Sequence, residues 1–161
     1  MAIREILLLG DERLYKKAKP LSDQDMEKAR RISRDLEDTM MNFRREKGFG
    51  RAIAAPQINE PYRLIFVHVQ GRSTTMVNPE LICDGETYEI WDDCMSFPGL
   101  EVKVLRYRQC VIRFNNLHGK KQQWSLKGDM AELLQHEYDH LNGILAVDRA
   151  LNKKAFRIVK K

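Results

Sequence analysis

Hydrophobic spacing changes period twice along this chain, and that change limits the fold more than any other feature. From 22 to 48 the apolar side chains Met26, Ala29, Ile32, Leu36, Met40 and Phe43 recur every three or four positions. That is the stripe of a long helix with one buried face. Ser22 or Asp23 supplies an N-cap and Gly48 a stop. The first twenty residues read as an extended arm, with a helical turn over 11–18 that Pro20 ends. Residues 49–59, with Gly50, three alanines and Pro56, predict an irregular loop or short strand. Residues favouring strands then dominate 63–70, 74–77, 81–90, 100–106, 110–115 and 122–126, with His118-Gly119 as a hairpin turn. After Gly128 the helical period returns in Met130, Leu133, Leu134, Tyr138 and Leu141. A short basic helix is expected to close the chain. The pattern is α+β, with short antiparallel strands packed around a central helix in a single domain over 1–161.

Composition narrows the function classes. With 161 residues and 43% hydrophobic content, the chain can bury a core without disulfide staples. No stretch approaches the roughly 20 apolar residues that cross a bilayer, and the run Ile6 to Leu9 is too short for a signal-peptide core. The expected location is therefore the cytoplasm, with no membrane partner. In a reducing compartment, Cys83, Cys94 and Cys110 read as thiols, a metal ligand or a nucleophile rather than a disulfide framework. Cys83 and Cys110 lie in strand-like runs and read as buried core thiols. The net charge of +5 is concentrated near the C-terminus, in Arg149, Lys153, Lys154, Arg157, Lys160 and Lys161. These residues form a solvated face or a contact for phosphate backbone.

The chemistry is concentrated in His136-Glu137-Tyr138-Asp139-His140. Positions four apart share one helix face, so both imidazoles can reach one metal ion. Glu137 follows the first His without ligating, which suits a general base acting on water beside the ion. A third protein ligand is needed to leave one position open. Six residues beyond His140 stands Ala146, no Glu follows Glu137, and Asp148 lies in a turn close behind the helix. The third ligand is therefore sought upstream, where Cys94 in Trp91-Asp92-Asp93-Cys94-Met95-Ser96 is the best candidate. A thiolate suits zinc or ferrous iron. His68 and His118 read as structural or exposed.

Three blocks in this order resemble the peptide deformylase family. They are Gly50-Arg51-Ala52-Ile53-Ala54-Ala55-Pro56-Gln57, then Asp92-Asp93-Cys94-Met95-Ser96, then Gln135-His136-Glu137-Tyr138-Asp139-His140-Leu141-Asn142-Gly143. Asp11 to Leu14, Ala18-Lys19-Pro20 and Asn78-Pro79-Glu80 also resemble the family, so the similarity spans most of the chain. The resemblance implies a metal-dependent amidase that removes the formyl group from the N-terminal methionine of nascent polypeptides, releasing formate. It implies one divalent ion, ferrous iron first and zinc or nickel as substitutes, on Cys94, His136 and His140. The Gln57 side chain and the backbone N–H of Met95 would stabilise the oxyanion, and Gly50 would let substrate backbone approach. Its partner would be an N-formylated peptide or nascent chain. The basic tail could contact the ribosome, and no DNA partner is expected.

Several positions depart from the family pattern. Ala52 and Asp93 replace motif glycines, and Asp92 is one methylene shorter than the usual Glu. Substrate-binding positions are Gly50, Arg51, Ile90, Asp92, Glu132 and Leu133. At Arg51, Asp129 and Glu132 the family offers apolar groups to the substrate methionine. Arg51 is expected to pair with Glu132 or to grip a polar substrate group. Three alternatives stay open: a deacylase with a changed pocket acting on another N-acyl amine, a non-catalytic ribosome-associated module, and a protease.

Overall fold

The structure is a computed structural model that describes residues 2–160; Lys161 of the basic tail lies outside the described residues. The first long helix, α1 (Met26–Lys47), buries Ala29, Ile32, Leu36, Met40 and Phe43 as its spacing predicts. Its entry differs in detail. Ser22 opens a short 3-10 turn (Asp23–Asp25), where the Asp25 carboxylate accepts from the Ser22 N–H and hydroxyl. Gly48 ends α1 at φ 80°, and its N–H donates to the Arg44 carbonyl.

Five antiparallel strands follow in the order β1-β2-β3-β6-β7. They are β1 (Ala52–Ala54), β2 (Leu64–Val69), β3 (Arg72–Cys83), β6 (Gln109–Asn115) and β7 (Lys121–Lys127). A second antiparallel sheet joins β4 (Thr87–Asp92), β5 (Leu100–Tyr107) and β8 (Phe156–Ile158) in the order β4-β5-β8. Between β7 and β8 the chain forms α2 (Asp129–Leu141) and a 3-10 turn (Ala146–Arg149).

The five-stranded sheet is covered on both faces, which explains why β2 reads as an unbroken apolar run. Leu64 and Phe66 pack with Ile53 and Val77 against α1. Ile65 and Val67 point the other way, joining Ala52, Ala54, Met76 and Ile112 against Ala131, Leu134 and Leu141 of α2. α2 is thus central, as expected, although Met130, Leu133 and Tyr138 of its predicted face are only partly buried. The N-terminal arm is bonded across the fold: Leu7 N–H donates to the Gln57 carbonyl and Leu9 N–H to that of Ser96.

Three expectations are corrected. The strand material at 74–77 and 81–90 divides differently, because β3 runs through 72–83 and Gly85, at φ 82°, turns the chain into β4. Cys83 and Cys110 are not core thiols. They stand opposite each other in the β3–β6 register and form a disulfide. Separation by 27 residues hid a pairing that strand register creates. The closing basic helix is absent among the described residues. Residues 156–158 instead extend the β5 edge, and Arg157 and Arg149 are drawn into ion pairs with Glu101 and Asp139.

Candidate active site

One end of α2, β1 with its following 3-10 turn (Ala55–Ile58), and the turn after β4 converge on a cavity of about 470 Å³. Helical spacing carries His136 and His140 to one face, where their Nε2 atoms lie 3.2 Å apart. The turn after β4 brings Cys94 Sγ to 3.4 Å from His140 Nε2. These three side chains are buried, and their donor atoms all lie within 4.8 Å of one another. Two nitrogens at about 2.1 Å from a tetrahedral ion lie about 3.4 Å apart, so the donor set fits a single Zn(II)- or Fe(II)-sized cation. Glu137, also buried, leaves Oε1 without a hydrogen-bond partner among the described residues, as expected of a carboxylate that serves a bound group.

Neighbouring groups orient this cluster. Asp92, at the end of β4, accepts from His136 Nδ1 at 3.0 Å, which leaves Nε2 turned toward Cys94 and His140. The Nδ1 atom of His140 has no such partner among the described residues. Burial alone would pull His136 down, but Asp92 and then Cys94 outweigh it and hold the imidazole well above its usual range. His140 is pushed well below, first by burial and then by His136. Burial would raise Asp92, yet His136 and then Arg106 keep its carboxyl far below the ordinary value. Glu137 is pushed up to about 7, chiefly by burial. It can therefore both accept and release a proton near neutrality.

The Gln57 side chain is fixed at both ends. Its Oε1 accepts from Ala54 N–H at 3.0 Å, while Nε2 approaches Ser96 Oγ at 3.1 Å and Cys94 Sγ at 3.6 Å. An amide donor thus points into the site from a turn pinned by the N-terminal arm. Gly50 has φ 120°, and a Cβ there would stand 3.1 Å from Met95 Sδ, so a side chain would be both strained and crowded. Met95, Ile90, Asp92 and Leu133 line the same cavity.

Arg51 does not pair with Glu132. It forms an ion pair with Asp129, while Glu132 accepts from the Tyr88 hydroxyl. The β1 entry and the first turn of α2 place Arg51 beside Asp129, and β4 brings Tyr88 to Glu132. All three charged groups line the cavity, so the replacements face the site.

Four contributors escaped the motif-based reading. Arg106 is buried and bridges Asp92 at 2.8 Å and Asp139 at 2.9 Å. Its signal was present in the alternation of β5, where Val102, Val104 and Arg106 all point inward. Asp139 anchors Arg106 and Arg149 from inside the helical motif. Ser96 meets the Gln57 amide, and Arg44 holds the Gly50 and His68 carbonyls at 2.8 and 3.0 Å.

A helix-borne imidazole pair beside a thiol and a buried carboxyl belongs to hydrolases that work with one divalent metal ion. Sequence and fold comparisons agree with that class. The family model described as polypeptide deformylase matches residues 3–156. A peptide deformylase of Dictyoglomus thermophilum is 38% identical over 152 residues, covering 94% of this chain and 95% of its own length. The crystal structure of the Thermotoga maritima peptide deformylase superposes with a TM-score of 0.85 at 31% identity, covering 94% of this chain and 100% of the other. A Legionella pneumophila peptide deformylase gives the same TM-score at 37% identity, with 94% and 88% covered. The chain belongs to the polypeptide deformylase family. It is an enzyme of N-terminal deformylation, a hydrolase of a family that uses a single divalent metal.

Proposed function

We propose that Cys94, His136 and His140 hold the ion, ferrous iron in its active form, and that Glu137 moves the protons of formyl-amide hydrolysis on nascent chains. The observation carrying this reading is a buried Glu137 carboxyl with an unpartnered oxygen, held near 7 next to the three converging donors. A divalent ion held there would supply Lewis acidity to the formyl carbonyl and to water. Glu137 takes a proton from the attacking water as its oxygen bonds to the formyl carbon. It returns a proton to the amine nitrogen as the C–N bond breaks, leaving formate and a free N-terminus. The Gln57 Nε2–H and the Met95 backbone N–H are the donors assigned to the developing oxyanion. Gly50, with its tight backbone, borders the substrate chain. Asp92 and Arg106 hold His136 in its ligating orientation.

The residues fold together as one domain over the chain, and the enzyme acts in the cytoplasm, where nascent chains are made. No helix among the described residues is long and apolar enough to cross a membrane. Exposed Lys153, Lys154 and Lys160 offer positive charge to ribosomal phosphate, whereas Arg149 and Arg157 are committed to Asp139 and Glu101.

The test is formate release from N-formyl-Met-Ala-Ser by protein prepared without oxygen and loaded with ferrous iron. Turnover that chelation removes and iron restores supports the assignment. Bound iron with no formate released contradicts it.

A further inference from the structure

His68 takes no part in the metal cluster, yet it is bonded to the cavity wall through Arg44. Arg44 stands in the last turn of α1 and lines the cavity. Its Nε donates to the Gly50 carbonyl at 2.8 Å and its Nη2 to the His68 carbonyl at 3.0 Å. Its Nη1 lies 2.8 Å from His68 Nδ1. A guanidinium only donates, so His68 Nδ1 is the unprotonated acceptor and the ring proton sits on Nε2. This fork clamps the segment that borders the substrate. From β2, the His68 N–H donates to the Arg51 carbonyl at 2.8 Å. In a regular antiparallel ladder the Arg51 N–H returns a bond to the His68 carbonyl. That bond is not made among the described residues; Arg44 takes the carbonyl instead, and the Arg51 N–H is left for another acceptor.

We propose that Arg44 and His68 are positioning residues for the substrate chain, and that their clamp holds only while His68 is neutral. The proposal rests on the deformylase reading above. Protonation places a hydrogen on Nδ1, so the acceptor is lost and an imidazolium faces a guanidinium. Arg44 has neutral acceptors and forms no ion pair among the described residues. Other charge around the ring does not replace the lost bond. Helical spacing puts Glu37 and exposed Lys47 on the Arg44 side of α1. Glu37 accepts at 3.0 Å from the Ser73 hydroxyl, and Ser73 stands opposite His68 in β3. Arg51, across the ladder, has its guanidinium on Asp129. Release of Arg44 frees the Gly50 carbonyl, and with it the planar peptide unit that carries the Arg51 N–H. A substrate carbonyl then meets a donor that is no longer fixed. Acid therefore raises KM through His68, while kcat follows the proton transfers at Glu137.

The test measures kcat and KM for N-formyl-Met-Ala-Ser on the metal-loaded protein from about pH 5.5 to about pH 8, where imidazoles change charge. His68→Asn and Arg44→Lys are measured beside it. The Asn side-chain oxygen stands where Nδ1 does and does not titrate. Lysine keeps the charge of Arg44 but not its fork. On acidification, KM of the parent is expected to rise about fivefold or more, the worth of one net hydrogen bond. In His68→Asn it rises less than about twofold, with the same kcat profile as the parent. Arg44→Lys has a KM raised by about fivefold or more already at the alkaline end. Parallel KM profiles in the parent and His68→Asn, or an unchanged KM in Arg44→Lys, overturn the proposal. If no formate is released, the deformylase reading fails, and calorimetric binding of Met-Ala-Ser at the two ends of the pH range judges the clamp. Affinity lost on acidification in the parent but kept in His68→Asn upholds it. Equal changes in the two proteins, or no binding, overturn it.

Discussion

Replacing Arg106 by Met removes the cation that joins two carboxylates behind the metal-ligand cluster. Arg106 is only 2% exposed, and its guanidinium reaches Asp92 at 2.8 Å and Asp139 at 2.9 Å. Methionine fills much of the same volume, so the loss is one of charge rather than packing. Breaking a buried ion pair from one side costs about 3–5 kcal/mol, because the remaining charge stays buried. Asp139 keeps Arg149 and Asp92 keeps His136, which places the expected loss near about 3 kcal/mol. At about 2–4 °C per kcal/mol, Tm falls by about 6–12 °C. Metal affinity weakens by about tenfold or more, since Asp92 no longer holds His136 against a fixed partner. Urea unfolding of the chelated protein reads the first effect, and competitive metal titration reads the second. In an Asp92→Asn background the same substitution costs at least about 1 kcal/mol less, because the stranded charge is gone. A loss under about 1 kcal/mol with unchanged metal affinity refutes the reasoning.

Gly143→Ala places a Cβ 2.3 Å from the Tyr15 carbonyl oxygen at φ 73°, so stability falls by at least about 2 kcal/mol in thermal unfolding; an unchanged Tm contradicts the described contact. In metal-free protein the Glu137 carboxyl titrates near 7, against 4.5 in an unfolded chain. The unfolded state therefore releases this proton first, and stability falls by about 3 kcal/mol as pH rises through that window. Metal-free Glu137→Gln escapes that loss, so its advantage over the metal-free parent grows from pH 4.5 to 7; a constant difference refutes the shift. Unfolding without reductant leaves Cys94 alone open to alkylation, since Cys83 and Cys110 are paired, and mass spectrometry finding three labelled thiols contradicts that pairing.

The parts of the fold legible in the sequence are those where local period matches environment. α1 carries a single apolar stripe because only one face packs, and β5 alternates because one side is buried. The triad positions were legible because His136 and His140 share a helix and their need for a third ligand points upstream. The Cys83–Cys110 bond depends instead on β3 and β6 aligning across 27 residues, which no local pattern encodes. The C-terminal strand was hidden for a related reason: 156–158 holds only three residues and is stabilised by the β5 edge it joins. The charged pocket positions were legible, but their partners were not. Whether Arg51 meets Asp129 or Glu132 is decided by where β1 and β4 place Arg51 and Tyr88 around α2. Arg106 shows the converse, a charged residue at an inward position of a strand that marks buried partners before they are known.

Substitution of Glu137 tests the proposed chemistry most directly. The measurement is formate release by Glu137→Gln, with metal content determined on the same sample, using whichever formyl peptide the parent protein cleaves best. The expected result is one metal ion per chain and a kcat lowered by about 10²–10⁴, the usual contribution of a positioned acid–base group. Turnover equal to that of the parent, with the metal bound, contradicts it.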